Sequence, residues 1–142
     1  LASSAHLAAT QENTSISTRV ILEALKHLES HFQTVLIEGL GGICVPINEH
    51  QTTLDILKQT KTTIILVVEN KIGCINHSLL TQAIIQSHNL NCAGFIMNNK
   101  NPHLNPLIQK DNSDIISKHT GLKQIGYISQ DKKLTLLTPL AK

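Results

Sequence analysis

Aromatic side chains are almost missing from this chain: two Phe, one Tyr and no Trp in 142 residues. That excludes a basic surface interleaved with base-stacking rings, and a net charge of +2 is too small for the electrostatic footprint of a nucleic-acid binder. No nucleic-acid partner is expected, and the core must be built from Ile, Leu and Val. Cysteine is scarce too. Cys44, Cys74 and Cys92 are odd in number, far apart and form no C-x-x-C. They argue for reduced thiols and a cytoplasmic setting. No apolar run approaches the roughly 20 residues of a membrane span, and the opening "LASSAHLAATQ" lacks the basic start and long apolar stretch of a signal peptide. No H-E-x-x-H occurs. His27 and His31 share a helix face without a third ligand at a known spacing, which makes them surface residues. The phosphate-cradling pattern G-x-x-x-x-G-K-[ST] is absent as well. Residue 1 is Leu rather than Met, as in a fragment or a processed product.

What is present reads as one α/β domain over residues 1–142. "STRVILEALKHLES" (17–30) carries apolar residues at helical spacing behind Thr14, Ser15 and Ser17 as candidate caps. "TVLI" (34–37) reads as a buried strand, followed by Glu38 and a glycine-rich turn. "TTLDILKQ" from Thr52 predicts a short helix. "TTIILVVE" (62–69) is a continuous β-branched run suited to a strand covered on both faces. A helix follows over 76–89, a strand over 92–97, a polar loop through Pro102 and Pro106, a helix over 107–119 that Asp111, Asn112 and Ser113 could interrupt, and a strand over 124–129. Helices and strands alternate and no hairpin signal separates the strands, so the sheet should be mostly parallel and flanked by helices. Ligands of such sheets sit at the carboxyl ends of the strands.

Three strand ends could carry chemistry. Glu38, leaving an apolar strand beside Gly39, Gly41 and Gly42, has the placement of a Mg²⁺ ligand in a nucleoside triphosphatase, or of a merely solvated glutamate on a tight turn. "NKIGCINHSLL" places a helix N-terminus after Gly73 with Asn76 as candidate cap. It could hold an anion, or be an ordinary capped helix. Asn98, at the end of "GFIMN", has a carboxamide able to donate to and accept from adenine at once, but also suits a turn.

Taken together these stretches resemble the dethiobiotin synthetase family. "VLIEGLGG" resembles that family's V-E-G-A-G-G, "KIGCINHSLLT" its K-L-G-C-I-N-H-A-L-L-T, "AGFIMN" its A-G-W-V-A-N, and "IGYIS" occupies the place of its L-G-x-I-P. "SSAHLAA" resembles S-P-H-L-A-A, with Ala5 where Pro is usual. The resemblance implies a P-loop NTPase-like fold, N-terminally truncated, acting as a homodimer. It also implies an ATP-dependent ligase of biotin biosynthesis that joins diaminopelargonic acid and CO₂ (or bicarbonate). One amine becomes a carbamate, the carbamate takes the γ-phosphoryl group, and the second amine closes the ureido ring and expels phosphate.

Carried over by residue, Glu38 is expected to bind Mg²⁺ near the γ-phosphate of ATP and to be catalytic. Gly41 is expected to approach the diamine or carbamate with its backbone, and Asn98 to read the adenine with Ser129 beside it. Gly73, Cys74, Ile75 and Asn76 are expected to take the substrate carboxylate from the neighbouring subunit. Ser129 stands where the family has Pro, and Lys132 and Lys133 replace a more acidic stretch. Without the P-loop, the 142 residues are expected to be inactive alone. Two rival expectations are a non-catalytic remnant or dimerisation module, and a relative of the cobyrinic or cobyric acid synthetases. "GCINH" and the absence of a glutaminase domain argue against the latter.

Overall fold

The computed structural model describes residues 3–138. The chain divides into two compact units, Leu1–Lys61 and Thr62–Lys142.

The first unit holds three helices, α1 (Ala5–Gln11), α2 (Thr18–His31) and α3 (Thr53–Leu57). The periodic apolar face of α2 brings Leu25 to 8% exposure, while Val20 on the opposite side is open. Its start is tied to the turn before α3: Thr18 Oγ1 donates to Gln51 Oε1 at 2.8 Å, and Asn48 Nδ2 donates to the Ile16 carbonyl at 3.0 Å. Asp55 accepts from the backbone N–H and the hydroxyl of Thr52, both at 2.9 Å, which stabilises the first turn of α3 and holds that carboxyl below its ordinary pKa. The strand expected at Thr34–Ile37 does not form. Residues 33–39 carry neither helix nor strand, and Leu36 is 89% exposed. A strand exists only where a neighbour takes its N–H and C=O groups, and no ladder among the described residues includes this run.

The second unit is a four-stranded sheet in the order β1 (Ile64–Glu69), β2 (Cys92–Asn98), β3 (Gln124–Ile128), β4 (Leu134–Leu136). β1, β2 and β3 are parallel, joined by α4 (Cys74–Ser87) and α5 (Pro106–Thr120). The mostly parallel, helix-flanked sheet is the expected fold. β4 is the addition: it returns antiparallel to β3, and its turn places Lys132 at φ 63° instead of using the Asn-Gly or Gly-Gly of an obvious hairpin. Residues 139–142 of the tail lie outside the described residues.

Val68, Phe95 and Met97 point to one face of the sheet and meet Cys74 of α4 and Ile116 of α5, with Leu66, Ile75, Leu122 and Tyr127 around them. Burying each large apolar side chain of this cluster contributes about 1.5–3 kcal/mol. α5 runs unbroken through Asp111–Ser113, because Asn112 and Ser113 bond outward: Asn112 to Asn70, and Ser113 Oγ to Gln124 Oε1. Pro106 is its first residue rather than a loop breaker. Asn105 caps it through Leu107 N at 2.9 Å, and Gly121 closes it at φ 73°.

Candidate functional site

The carboxyl ends of β1, β2 and β3 form the edge at which ligands of parallel sheets bind. Asn98 closes the middle strand, paired with Glu69 on one side and Ile128 on the other. The backbone holds the next residues tightly: Asn70 N donates to the Asn98 carbonyl at 2.9 Å, and Asn99 N to the Ile128 carbonyl at 2.9 Å. A shallow groove of about 430 Å³ opens here, lined by Asn99, Gln109, Tyr127, Ser129, Gln130 and Asp131. The ends of β2 and β3 therefore bring Asn98 and Ser129 to the same edge. The Ser129 hydroxyl is engaged within its own turn, with the Asp131 carboxylate and the Lys133 carbonyl as acceptors. The Ser129 and Lys133 bonds hold the Asp131 carboxyl below its ordinary pKa.

Two features of this edge escape a reading of the sequence. Glu69 is gripped by two lysines, Lys71 Nζ at 2.8 Å on one oxygen and Lys100 Nζ at 3.0 Å on the other. These bonds, Lys71's first, hold its carboxyl below the ordinary glutamate range. Beneath them lies a knot of carboxamides. Asn70, 2% exposed, donates through Nδ2 to Asn99 Oδ1 at 2.8 Å and to the Gln109 carbonyl at 3.3 Å, and accepts from Asn112 Nδ2 at 2.8 Å. Singly, each Asn reads as a turn residue or a helix breaker; only the folded chain brings three elements together on them.

The start of α4 lies on the same unit. Gly73, not Asn76, is its N-cap, at φ 92° with no capping side chain. Asn76 is the third helical residue and is exposed. The helix starts early because Gly73 reaches a left-handed turn that other residues rarely adopt, and because Cys74 is drawn into the core at 3% exposure. Cys74 is thus a packing residue at a helix start rather than a loop residue. Cys44 is exposed, and all three cysteines are free. Burial pushes the Cys92 thiol up.

In the first unit, Gly41 sits at φ 86° in the turn after Glu38. Gly39, Leu40, Gly41 and Val45 line a hollow of about 400 Å³ with Ser3, Ser4 and Ala5, so "SSAHLAA" and "EGLGG" come together. Glu38 is exposed on the irregular run before this turn. A single open carboxylate fits Mg²⁺, which takes one or two protein oxygens and completes its octahedron with water and phosphate. Among the described residues no group of three or more His, Cys, Asp or Glu gathers to make an all-protein metal cage. The rings of His27 and His31 lie with centroids 4.4 Å apart and planes tilted by 43°, and His31 Nδ1 lies 2.8 Å from the His27 carbonyl oxygen.

Residues 2–137 match the AAA domain family. Similar curated proteins include the ATP-dependent dethiobiotin synthetase BioD of Legionella pneumophila (strain Corby), 42% identical over 96 residues, which is 67% of this chain and 45% of that protein. The proteins of the same name from Photobacterium profundum and Vibrio campbellii are 42% and 37% identical, over 70% and 72% of this chain and 45% of each of theirs. The chain thus spans about half the length of the curated relatives it matches. No helix among the described residues is long and apolar enough to cross a membrane. With its mostly parallel sheet and flanking helices, the chain belongs to the AAA domain family, has a P-loop NTPase-like fold, and is similar to the ATP-dependent dethiobiotin synthetases.

Proposed function

We propose that this chain supplies the nucleotide-base and substrate-carboxylate portions of an ATP-dependent dethiobiotin synthetase, a ligase of biotin biosynthesis acting on diaminopelargonic acid and CO₂. The observation that carries the reading is the strand-end edge, where Asn98 closes the middle parallel strand beside the groove of Ser129 and Tyr127. There the Asn98 carboxamide both donates to and accepts from the adenine of ATP. The first turn of α4, Gly73 to Asn76, offers backbone N–H groups that no side chain caps, together with the positive end of the helix dipole, to the substrate carboxylate from the neighbouring subunit. Gly41 brings bare backbone to the reacting diamine or carbamate, because its left-handed turn needs no side chain.

Glu38 would hold Mg²⁺ through its open carboxylate. When bound, that ion neutralises charge building on the phosphate oxygens. The residues themselves position and shield, and the chemistry is that of the substrates. The 142 residues contain no G-x-x-x-x-G-K-[ST], so these residues alone bind the base edge of a nucleotide without turning it over. The homodimer and the cytoplasmic location belong to the same proposal, the latter supported by three free cysteines.

ADP titrated into the isotopically labelled chain tests the reading. Resonances of Asn98, Tyr127 and Ser129 should shift, and Asn98→Ala should weaken ADP at least fivefold, as expected for losing a two-point carboxamide contact worth about 1–3 kcal/mol. Equal affinity in the Asn98→Ala variant would remove the base-reading role.

A further inference from the structure

We propose that Asn70 is a positioning residue: with Asn112 and the α5 backbone it sets the carboxamide of Asn99 so that an N–H donor, rather than a carbonyl, faces the groove at the ends of β2 and β3. For the identity of the ligand the proposal rests on the nucleotide reading of that edge.

An Asn side chain turned by half a rotation exchanges donor for acceptor, so a chain of three carboxamides could in principle run in either sense. One contact removes that freedom. The Gln109 carbonyl belongs to the α5 backbone and can only accept, and it lies 3.3 Å from the Asn70 side-chain nitrogen. The atom of Asn70 on that side must therefore be its NH₂. The same nitrogen lies 2.8 Å from Asn99, so the Asn99 atom that meets it must be the carbonyl oxygen. The opposite atom of Asn70, its Oδ1, then accepts from Asn112 Nδ2 at 2.8 Å. A fixed helix carbonyl thereby dictates the polarity of all three side chains.

What remains follows by elimination. Asn99 spends its Oδ1 on Asn70, and among the described residues no partner takes its Nδ2. Asn99 also lines the groove with Tyr127 and Ser129. It thus presents a donor to whatever fills the groove, which selects a ligand with an acceptor there: a ring nitrogen or exocyclic carbonyl of a nucleobase. Asn70 and Asn112 are 2% and 5% exposed. Burying two carboxamides is costly unless they are satisfied, and a satisfied network fixes one arrangement. Apolar residues would fill that space without setting the direction of Asn99.

The test uses the full 142-residue chain with ADP as probe. Asn70→Asp keeps the shape and still accepts from Asn112, but it places oxygen against Asn99 Oδ1. Asn99 must then turn its carbonyl to the groove. ADP affinity should fall about five- to tenfold, the loss of one net hydrogen bond. Asn99→Asp should cost as much, and the double variant no more than either single one. Titration with neutral adenosine, which shows the same ranking, excludes phosphate repulsion as the cause. A merely structural Asn70 would lower Tm and leave ADP affinity within twofold below Tm, and that result overturns the proposal.

If Asn70→Asp does not fold, the unsubstituted chain decides. The Asn99 side-chain NH₂ should exchange rapidly with solvent and shift on adding ADP, while the Asn70 NH₂ stays protected. A protected or unresponsive Asn99 NH₂ overturns the proposal. Asn98→Ala separates the two readings. If it weakens ADP while Asn99 and Asn70→Asp do not respond, only the positioning role fails; if the chain takes up no ADP, both fall.

Discussion

Glu69 shows how one side chain at the sheet edge can be read physically. Lys71 and Lys100 each hold one of its oxygens and favour its charged form. Its folded pKa is thus below the unfolded value, so the folded state binds its proton less tightly than the unfolded chain does. The resulting stabilisation is fully present above the ordinary glutamate pKa and is lost as pH falls through the lowered folded value. In an NMR titration, the Glu69 carboxylate should titrate below a glutamate in an unfolded peptide, and Lys71→Met should move it back up. The Tm gap between the native chain and Glu69→Gln should close as pH falls through that lowered value and shrink with added salt. A gap that ignores pH would mean that the lysines do not act on this carboxylate. None of this was legible from "VVENK", where Glu69 could be any strand-end carboxylate. Lys100 reaches it only because Asn98 pairs with Glu69 across the sheet.

At the scale of elements, the tightest geometric demand falls on Gly94 in β2. A Cβ there would lie 2.5 Å from the Lys123 carbonyl oxygen and 2.7 Å from Ile125 Cγ2, on backbone at φ 146°. Gly94→Ala should cost at least about 1–3 kcal/mol, the range for a residue held in a disallowed conformation, and more if β3 cannot yield. Gly39→Ala is the internal comparison, since its Cβ would meet nothing closer than Thr53 Cγ2 at 3.9 Å. It should stay within about 0.5 kcal/mol. Urea unfolding measures both, and equal midpoints would show that β3 shifts freely.

The elements that the sequence made readable were those whose period is local: α2, α4, α5 and the three parallel strands lie within a few residues of their expected bounds. The elements that were not legible depend on distant partners or unusual turns. β4 needs β3 beside it and a lysine at positive φ, and "TVLI" has the composition of a strand but no ladder. The candidate site divides the same way. The strand ends carrying Asn98 and Ser129 were visible, because a parallel sheet fixes where its ligands go. The Asn70 knot was not, because three elements must first converge.

For the whole chain, the features that matter are its weak charge and its exposed apolar backbone. A net charge of +2 over 142 residues gives little repulsion between copies. In the first unit, Leu36 and Ile37 are 89% and 48% exposed on an irregular, unpaired run. In the second, β1 is the outer strand of the sheet and Val67 is 56% exposed on it. Apolar, β-branched backbone with unpaired N–H and C=O groups is the usual template for strand addition between chains. The isolated chain should therefore self-associate as its concentration rises, and a charge placed in this irregular run should oppose this. Leu36→Lys removes no buried contact, so its unfolding free energy should stay within about 0.5 kcal/mol of the native chain while its scattering falls. Static light scattering and urea unfolding on the same samples separate the two effects. Unchanged scattering in Leu36→Lys, with reduced scattering in Val67→Lys, would place the association on the β1 edge instead. A chain that stays monomeric without either substitution would show that its exposed run is shielded in solution.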